Sequence, residues 1–460
     1  MTEEVGPRFR GPLRASEVNP RYFTDERGEA IYLTGSHTWA NLVDIRRPGD
    51  PPFDYQEYLD FLTSHGHNFV RMWTWDHSEL APWTDELLHF DPLPQERTGP
   101  GLARDGKPKF DLGRWNQSYF DRLRERVRQA GERGIYVSIM LFEAWCLRNA
   151  RPGCDPWLTH PFHRDNNVNG VDGDPNDDGR PLVYTLAVPE VVEFQKAYIR
   201  QVVDTVNDLD NVLYEIVNET RADEESVAWH LHLVDYVHEY ERIKPKQHPV
   251  GMTSDGGTTY NPILFASNAD WISPSPRPGE SYRYDPPPAD GRKVIIADTD
   301  HIWGTGGTYQ WAWKCFLRGL NPIFMDPWWP LPSWSDDSRR AYDRSLLMTR
   351  HFADWGPLRA TLGHSRRLAD RLPLKCMTPQ GELASSGYCL ADAGSVYLVY
   401  TPDDAQVTVD LAAAPGMVSV EWFYPRTAEA VTSAAVQGGR RYTFLSPLGL
   451  DAVLLLRTRK

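Results

Sequence analysis

Two apolar segments of this sequence end abruptly on carboxylates, and these carboxylates are the residues best suited to chemistry. Val212–Glu219 reads Val-Leu-Tyr-Glu-Ile-Val-Asn-Glu, and Val294–His301 reads Val-Ile-Ile-Ala-Asp-Thr-Asp-His. A buried strand has no internal use for a terminal carboxylate, because burying an unpaired charge costs several kcal/mol. Such residues indicate a functional site, especially at the carboxyl ends of the strands of a parallel barrel.

Two carboxylates that face each other across a barrel mouth have the chemistry needed for glycoside hydrolysis. One protonates the leaving oxygen, while the other attacks the anomeric carbon or activates water. The two candidates for these roles are Glu219 and Asp298, which four apolar residues precede. Asp300 shares its strand face by two-residue periodicity, and it would bind substrate or exchange roles with Asp298.

Two alternative interpretations of these acidic residues remain open. Glu219 would cap a helix that starts near Ala222, since carboxylates stabilise helix N-termini. The acidic residues would otherwise form a structural ion network with Arg71, His37 and His301.

The elements that position these residues follow from apolar runs that alternate with amphipathic segments. This pattern predicts an α/β fold, a (β/α)8 TIM barrel, over a doubly wound sheet, since no Gly-rich phosphate fingerprint follows the first strand. The predicted strands are Ile31–Gly35, Phe69–Trp73, Ile135–Leu141, Val212–Val217, Pro249–Thr253, Trp271–Ser273, Val294–Ala297 and Pro322–Met325. The predicted helices are Tyr55–Ser64, Gln117–Arg133, Pro189–Asn207, Glu224–Lys244, Tyr309–Arg318 and Arg339–Trp355, and the connections Asn261–Asn268 and Pro276–Arg292 would be irregular.

A change of pattern after the barrel predicts a second domain. Short β-rich runs with turn signals begin near Leu383 and predict a small antiparallel β-sandwich. We assign residues 1–365 to the barrel domain, with an N-terminal hairpin at Phe23–Tyr32, and residues 366–460 to the sandwich. Gly356–Leu372 would be the connection.

The predicted strand tips carry a coherent set of polar and aromatic side chains. Many charged residues on one rim are hard to explain by stability alone, because like charges repel. Tryptophans there suit stacking on the apolar faces of sugar rings. The candidate substrate-binding residues are His37, Arg71, Glu143, Asn218, His301 and Asp326, with Trp39, Trp73, Trp303 and Trp328 as stacking walls, and Asp255 ends the fifth strand.

This pattern resembles clan A of the glycoside hydrolases. The resemblance rests on Asn218-Glu219 ending strand four, Arg71 ending strand two and an acidic residue ending strand seven. It implies that Glu219 is the general acid/base, that Asn218 binds the sugar 2-hydroxyl and that Arg71 steadies the nucleophile. Asp298, which follows four apolar residues, is the better match to that nucleophile.

Two further segments resemble the apiosidase-like branch of that clan, whose members carry a C-terminal β-domain that is sometimes labelled collagen-binding. These segments are Tyr32–Trp39, with the His67–Trp73 stretch that follows, and Gly438–Leu456 near the C-terminus.

Strand seven departs from the clan pattern, because it offers Asp where the clan has Glu. The shorter side chain draws the carboxylate back by about 1 Å, toward the roughly 6.5–9.5 Å separation of inverting enzymes and away from the roughly 5–5.5 Å of retaining ones. We favour retention by analogy with the clan, with inversion as the alternative.

The loop after strand three resembles part of a calcium-binding loop. Asp165–Gly170 and Asp174–Gly179 match the first half of an EF-hand loop, although neither has the acidic twelfth ligand. A polar, turn-rich wall of the pocket is the alternative. The candidate ligands of a structural calcium are Asp165, Asn167, Asn169, Asp174, Asn176 and Asp178.

The composition limits the partners and the compartment. A net charge of -14 over 460 residues disfavours nucleic acid or anionic membrane as a partner. No apolar window approaches the roughly 20 residues of a membrane span. The acidic N-terminus lacks secretory-signal features, which predicts a cytoplasmic protein, whereas a trimmed signal would make it secreted.

The sequence thus predicts a glycoside hydrolase that acts on a plant or microbial glycan and requires no cofactor. Long loops at Trp75–Lys109 and Cys146–Tyr184 predict a deep pocket and exo action. One alternative is a catalytically inactive carbohydrate-binding barrel, with the strand-seven Asp as the sign of lost catalysis. Another is an adhesin-like role for segment 366–460.

Overall fold

The computed structural model describes residues 9–254, 261–276, 282–304, 306–328 and 355–459. Its largest unit is an eight-stranded parallel sheet whose strands we number β1 to β8 in chain order. The strands lie side by side in that order from β2 to β8, and β8 pairs in turn with β1. They are β1 (Gly35–His37), β2 (Phe69–Met72), β3 (Tyr136–Glu143), β4 (Val212–Asn218), β5 (Val250–Thr253), β6 (Trp271–Ser273), β7 (Val294–Asp298) and β8 (Asn321–Met325).

The seam between β1 and β2 is closed by one side chain and one glycine. Asn68 donates its backbone N–H to the Thr34 carbonyl at 3.0 Å, and its side-chain oxygen accepts from the Thr34 N–H at 2.9 Å. At Gly35, a Cβ would lie 2.2 Å from the Phe69 carbonyl oxygen, so the close approach requires glycine. The predicted (β/α)8 TIM barrel is confirmed, and its first strand begins later than predicted.

Helices cover the outside of this sheet, and the sequence contains their caps. Asp54 accepts from the Glu57 N–H at the start of α1, and Asn116 accepts from the Ser118 N–H at the start of α2. The helices are α1 (Tyr55–His65), α2 (Gln117–Glu132), α3 (Trp145–Arg148), α4 (Pro189–Val206), α5 (Glu224–Glu241), α6 (Asn261–Ala266), α7 (Thr299–Ile302), α8 (Tyr309–Leu317) and α9 (Trp355–Ala369), with 3-10 turns at Pro156–Thr159 and Gly381–Leu383.

Two predicted connections are helical instead. The segment Gly356–Leu372, predicted as the connection between the two domains, is largely the helix α9. Its Gly-Pro start reads as a helix breaker, yet proline is tolerated in a first helical turn. Asn261–Asn268 contains the short helix α6. The predicted helix Arg339–Trp355 lies outside the described residues, apart from Trp355, and so does Asp255.

Short antiparallel pairs occupy the loops after the first two barrel strands. Asp44–Arg46 pairs with His89–Asp91, and Gln95–Leu102 pairs with Pro108–Trp115. Both pairs belong to connections that leave the carboxyl ends of β1 and β2, so they rise on the face that carries the candidate site. At the N-terminus, the predicted hairpin is confirmed by the strands Phe23–Thr24 and Ala30–Ile31, and Arg14–Ala15 joins them.

The C-terminal region is antiparallel β-structure that packs against the barrel. A six-stranded and a two-stranded sheet enclose an apolar core of their own, and Trp313 and Phe316 of α8 pack on Tyr400 and Leu455 of the larger sheet. None of the described helices is long and apolar enough to cross a membrane. The strands are Thr378–Pro379, Cys389–Asp392, Val396–Thr401, Gln406–Asp410, Met417–Phe423, Ala430–Gln437, Arg441–Leu445 and Ala452–Thr458.

Candidate active site

Arg71 on β2 connects the carboxyl ends of three barrel strands. Its Nε and Nη2 donate to the two Glu215 oxygens at 2.8 and 2.5 Å, and Nη2 also donates to Asn218 Oδ1 at 3.1 Å. Its Nη1 donates to Asp298 at 2.7 Å and to Asp300 at 2.9 Å. Burial alone would lower the pKa of Arg71, but these three carboxylates raise it well above its ordinary value. The guanidinium is therefore a fixed positive charge around which the acidic residues are arranged.

Asp298, at the end of β7, is buried and has a partner at each oxygen. Its Oδ1 accepts from His37 Nε2 at 3.0 Å, and its Oδ2 accepts from Arg71. The indole N–H of Trp73 donates to His37 Nδ1 at 2.8 Å, so the ring proton lies on Nε2 and points to Asp298. Burial raises the pKa of Asp298, but His37 and Arg71 outweigh it and hold that pKa below its ordinary value. Asp298 is thus an ionised carboxylate held inside the barrel.

Asp300 lies nearer the surface than Asp298. The prediction that both share one strand face is wrong, because β7 ends at Asp298, whose Oδ1 accepts from the Asp300 N–H at 2.9 Å and caps α7. The chain therefore turns, and Asp300 stands in a helical turn. One carboxylate oxygen of Glu219, one of Asp300 and one ring nitrogen of His301 all lie within 4.8 Å of one another, and Asp298 is not part of this group.

Glu219 follows the last residue of β4 in an uncommon backbone conformation. Its φ of 47° lies in the left-handed region, which costs a non-glycine residue roughly 1–2 kcal/mol and is concentrated at functional sites. Burial, followed by the charge of Asp300, raises the pKa of Glu219 to about 8, although an ion pair with Arg148 of α3 opposes the shift. The carboxyl therefore holds a proton at neutral pH. Helix capping does not explain it, because Asp223 caps α5.

Glu143 lies behind Asn218 and is 1% exposed. Its carboxylate accepts from the N–H groups of Trp145 and Cys146 at 2.8 and 3.2 Å, and Asn218 Nδ2 lies 3.5 Å from its Oε1. Burial raises the pKa of Glu143 to about 7, and burial likewise raises the pKa of the neighbouring Asp76 to about 7. The structure places Glu143 where it orients Asn218 and the start of α3.

His301 completes the group around Glu219. Its Nδ1 is 2.9 Å from the Ser273 hydroxyl, and its Nε2 is 3.4 Å from Asn218 Oδ1 and 3.6 Å from Asp300 Oδ2. Burial lowers the pKa of His301 to about 4. The ring is therefore neutral at neutral pH.

The predicted stacking tryptophans lie at different depths. Trp39 and Trp73 are 9% and 3% exposed, and the Arg71 guanidinium lies 5.2 Å from the Trp73 ring centroid. Trp303 is half-buried, whereas Trp328 packs on two aromatic rings of α1 at 5.3 Å. Trp303 directly follows α7, and its ring lies 5.3 Å from Tyr284 and 5.2 Å from the Arg283 guanidinium.

Asp326 at the end of β8 is engaged with α9. Arg359 donates to its two oxygens at 2.8 and 2.5 Å, and the Asp326 N–H donates to the His37 carbonyl at 2.8 Å. Burial raises the pKa of Asp326, and Arg359 opposes that shift. This buried pair fastens α9 to the rim of the barrel.

Two groups of acidic residues are candidates for binding a metal ion, one around Glu219 and one in the loop after β3. In both groups, most of the side chains already contact protein groups. In the described ranges, Glu219, Asp300 and His301 form the one group with suitable spacing of His, Cys, Asp or Glu ligand atoms, but each carboxylate already contacts a guanidinium. In the loop after β3, the candidate calcium ligands mostly bond within the protein, and the calcium site stays a prediction. Asp165 pairs with Arg104, Asn167 and Asn169 bond backbone groups, Asp174 accepts from the N–H groups of Asp178 and Gly179, Asp178 accepts from the Arg180 N–H, and Asn176 is exposed.

Glu215 and Arg148 contact the site and were not predicted from the sequence. Glu215 had a usable signal, since it is a carboxylate in the middle of the apolar strand β4. Arg148 had none, because basic residues are common in loops and its partner is 71 residues away.

Comparisons with known proteins agree with this fold. Residues 81–258 match the model of a family described as a domain of unknown function, DUF6298, and no curated protein matches the sequence. A solved glycoside hydrolase is 14% identical, with 97% of each chain covered and a TM-score of 0.58. A glycoside hydrolase family 5 protein from Bacteroides vulgatus is 13% identical, with 97% of this chain and 94% of that chain covered and a TM-score of 0.59. At these identities the likeness is one of fold.

Proposed function

We propose that this protein is a retaining glycoside hydrolase in which Glu219 is the general acid/base and Asp300 the nucleophile. The observation that carries the proposal is the approach of the Glu219 and Asp300 carboxylates, whose nearest oxygens lie within 4.8 Å. That spacing is close to the roughly 5–5.5 Å of retaining enzymes and below the roughly 6.5–9.5 Å of inverting ones.

The two carboxylates have complementary properties for this reaction. Glu219, with a pKa of about 8, holds a proton that it would donate to the glycosidic oxygen as the bond breaks. Asp300 would attack the anomeric carbon, and Glu219, now ionised, would take a proton from the water that releases the sugar. The reaction requires no cofactor.

Asp298 has a different role in this proposal from the one that its position in the sequence indicates. Its Oδ1 accepts from His37 and the Asp300 N–H, its Oδ2 accepts from Arg71, and its side chain is 1% exposed, so it is poorly placed to reach a substrate. It would position Arg71 and the turn that carries Asp300, and Arg71 would balance the negative charge of Asp300 before attack.

The structural neighbours support the same class of reaction, since they are glycoside hydrolases that share this fold along nearly the whole chain. The substrate in our proposal is a plant or microbial glycan cleaved from its end. The loops after β1, β2 and β3 rise around the carboxylates and would enclose a chain end.

The function is tested by release of sugar from a panel of glycans and aryl glycosides. We expect hydrolysis by the wild type and by the exposed control Glu239→Gln, and a loss of roughly 10²–10⁴-fold in Glu219→Gln on substrates with poor leaving groups. NMR of the first anomer formed should show retention, and a 2-fluoro glycoside should label Asp300. Undiminished hydrolysis by Glu219→Gln would overturn the assignment, and calorimetric binding of glycan without product would favour an inactive binding barrel.

A further inference from the structure

A cavity opens on the face of the barrel that carries the candidate active site, away from the carboxylates of Glu219 and Asp300. Its volume is about 560 Å³, and its walls come from the two antiparallel pairs that follow β1 and β2. The residues that line it include none of Glu219, Asp300 or His301.

The lining of this cavity is basic in a protein that is acidic as a whole. The chain has a net charge of -14, yet four guanidinium or ammonium groups surround the cavity, against two carboxylates, Asp91 and Glu96. Behind the lining, the carboxylates of Asp44, Glu79, Glu86 and Asp105 lie within 4.0 Å of these cations, so an anion would be held by individual donors rather than by an excess of positive charge. The four cations are Arg46, Arg47, Arg97 and Lys107.

The side chains of two of these four cations donate no hydrogen bond within the described residues. Arg47 and Arg97 are not these two, because they donate to Glu86 and Asp105. Arg46, in contrast, lies 3.9 and 4.0 Å from its nearest carboxylates, and Lys107 Nζ lies 3.8 Å from Glu79. These distances exceed hydrogen-bond length. Neither side chain donates a hydrogen bond to another described residue.

The rest of the lining suits a sugar ring. Phe90 and Leu93 contribute apolar atoms to the lining, the Arg97 guanidinium lies 3.8 Å from the Phe110 ring centroid, and Gln95 adds an amide group. A few polar groups among apolar ones are characteristic of small-molecule sites. A pyranose ring, which has an apolar face and a hydroxyl edge, matches that mixture.

A continuous column of rings joins the cavity to the carboxylates. Phe90 lies 5.1 Å from Trp75, Trp75 lies 5.7 Å from Trp73, and Trp73 lies 5.8 Å from His37, the partner of Asp298. A ligand in the cavity is therefore only a few sugar lengths from the site of bond cleavage.

We propose that this cavity binds an anionic saccharide, with Arg46 and Lys107 donating to the carboxylate or sulfate of one sugar residue. The cavity would be a subsite of the enzyme, and its place in substrate recognition rests on the proposed function. It selects acidic glycans over neutral ones.

Calorimetry on the full-length Glu219→Gln protein, in which turnover is slowed, tests the proposal with three probes. Trigalacturonate carries carboxylates, sucrose octasulfate carries sulfates, and cellotriose is neutral. We expect at least one anionic probe to bind at least tenfold more tightly than cellotriose, and the tighter anionic probe identifies the group that the cavity prefers. Equal binding of all three, or no binding, would overturn the proposal.

A double variant, Arg46→Gln with Lys107→Gln, locates the binding. This variant should bind the anionic probe at least tenfold more weakly than the parent, and its thermal unfolding temperature should stay near that of the parent. The matched control, Arg124→Gln with Arg292→Gln, removes two exposed charges from the outer surface and should bind normally. Unchanged affinity in the first double variant would overturn the proposal. Hydrolysis is measured separately in the wild type, so loss of the catalytic assignment and loss of the anion site give different results.

Discussion

Two layers of carboxylates lie at the end of the barrel and differ in depth and in their arginine partners, since Arg71 contacts Glu215, Asp298 and Asp300, whereas Glu219 contacts Arg148. The inner layer, Glu215 and Asp298, is completely buried, and each of its oxygens contacts Arg71 or His37. The outer layer, Glu219 and Asp300, lies nearer the opening of the barrel. The same residue types on the same rim therefore do different work. The inner carboxylates position Arg71, and the outer carboxylates can contact a substrate.

The largest expected effect separates the two aspartates by activity. Asp300→Asn should lower kcat by roughly 10³-fold or more, because an amide cannot form the glycosyl-enzyme bond. Its free energy of unfolding should stay close to the wild-type value, since Asp300 is the outermost partner of Arg71. Steady-state kinetics and urea denaturation measure both. If Asp298→Asn loses catalysis while Asp300→Asn keeps it, the roles of the two layers are reversed.

The second expected effect is on stability. Asp298→Asn removes one charge from a buried ion pair, which typically costs about 3–5 kcal/mol when the partner charge remains. Glu215 still neutralises Arg71, so we expect a loss of about 3 kcal/mol in the free energy of unfolding. Denaturation of Asp298→Asn and Asp300→Asn under one set of conditions gives the comparison. Equal stability of the two variants would contradict the inner layer as a structural device.

A third effect concerns the pH dependence of stability. In the folded protein the pKa of Glu143 is raised to about 7 from an ordinary 4.5, so the folded state binds the proton more tightly. That stabilisation is complete below about pH 4.5 and is lost as the pH rises through 7, with a total of about 3 kcal/mol. The free energy of unfolding of Glu143→Gln should therefore fall less between pH 5 and pH 8 than that of the wild type, as measured by denaturation at both pH values. An unchanged decline would contradict the raised pKa of Glu143.

The smallest effect is on the pH profile of activity. Arg148 lowers the pKa of Glu219, so Arg148→Gln should raise that pKa above about 8. Because the acid must be protonated, the alkaline limb of kcat/KM should move upward by about one pH unit, equivalent to about 1.4 kcal/mol. Arg151→Gln, which removes a neighbouring arginine paired with an exposed Asp85, should leave the limb in place. A downward shift in Arg148→Gln would contradict Glu219 as the acid.

Much of the fold was predictable because local patterns encode it. Most barrel strands are apolar runs, although β1 reads Gly-Ser-His, and Glu219 was identified because an apolar run ends on it. The helix α9 was missed because Gly356 and Pro357 look like a break, although its buried leucines repeat at helical spacing. The strand Gln95–Leu102 was missed because none of its residues is buried, and Pro108–Trp115 because its alternation is limited to Phe110 and Leu112.

The sequence predicted which residues form the site better than it predicted what each residue does there. His37, Arg71, Asn218, Glu219, Asp298 and Asp300 all come together at the predicted rim. The depth of each side chain depends on contacts that no local pattern reports. Asp326 shows this, because its partner Arg359 belongs to a helix that the sequence did not predict.

The sequence by itself determined that a parallel barrel would bring Glu219 and two aspartates to one rim, because strand periodicity and strand ends are local properties. The tertiary structure alone decided which aspartate lies inside and which lies beside Glu219. Asp298 and Asp300 are two residues apart, and their difference arises from a helical turn at the end of β7 and from Arg71, which is 227 residues from Asp298 along the chain. Burial and ion pairing depend on what lies opposite in space, and only the folded chain specifies that.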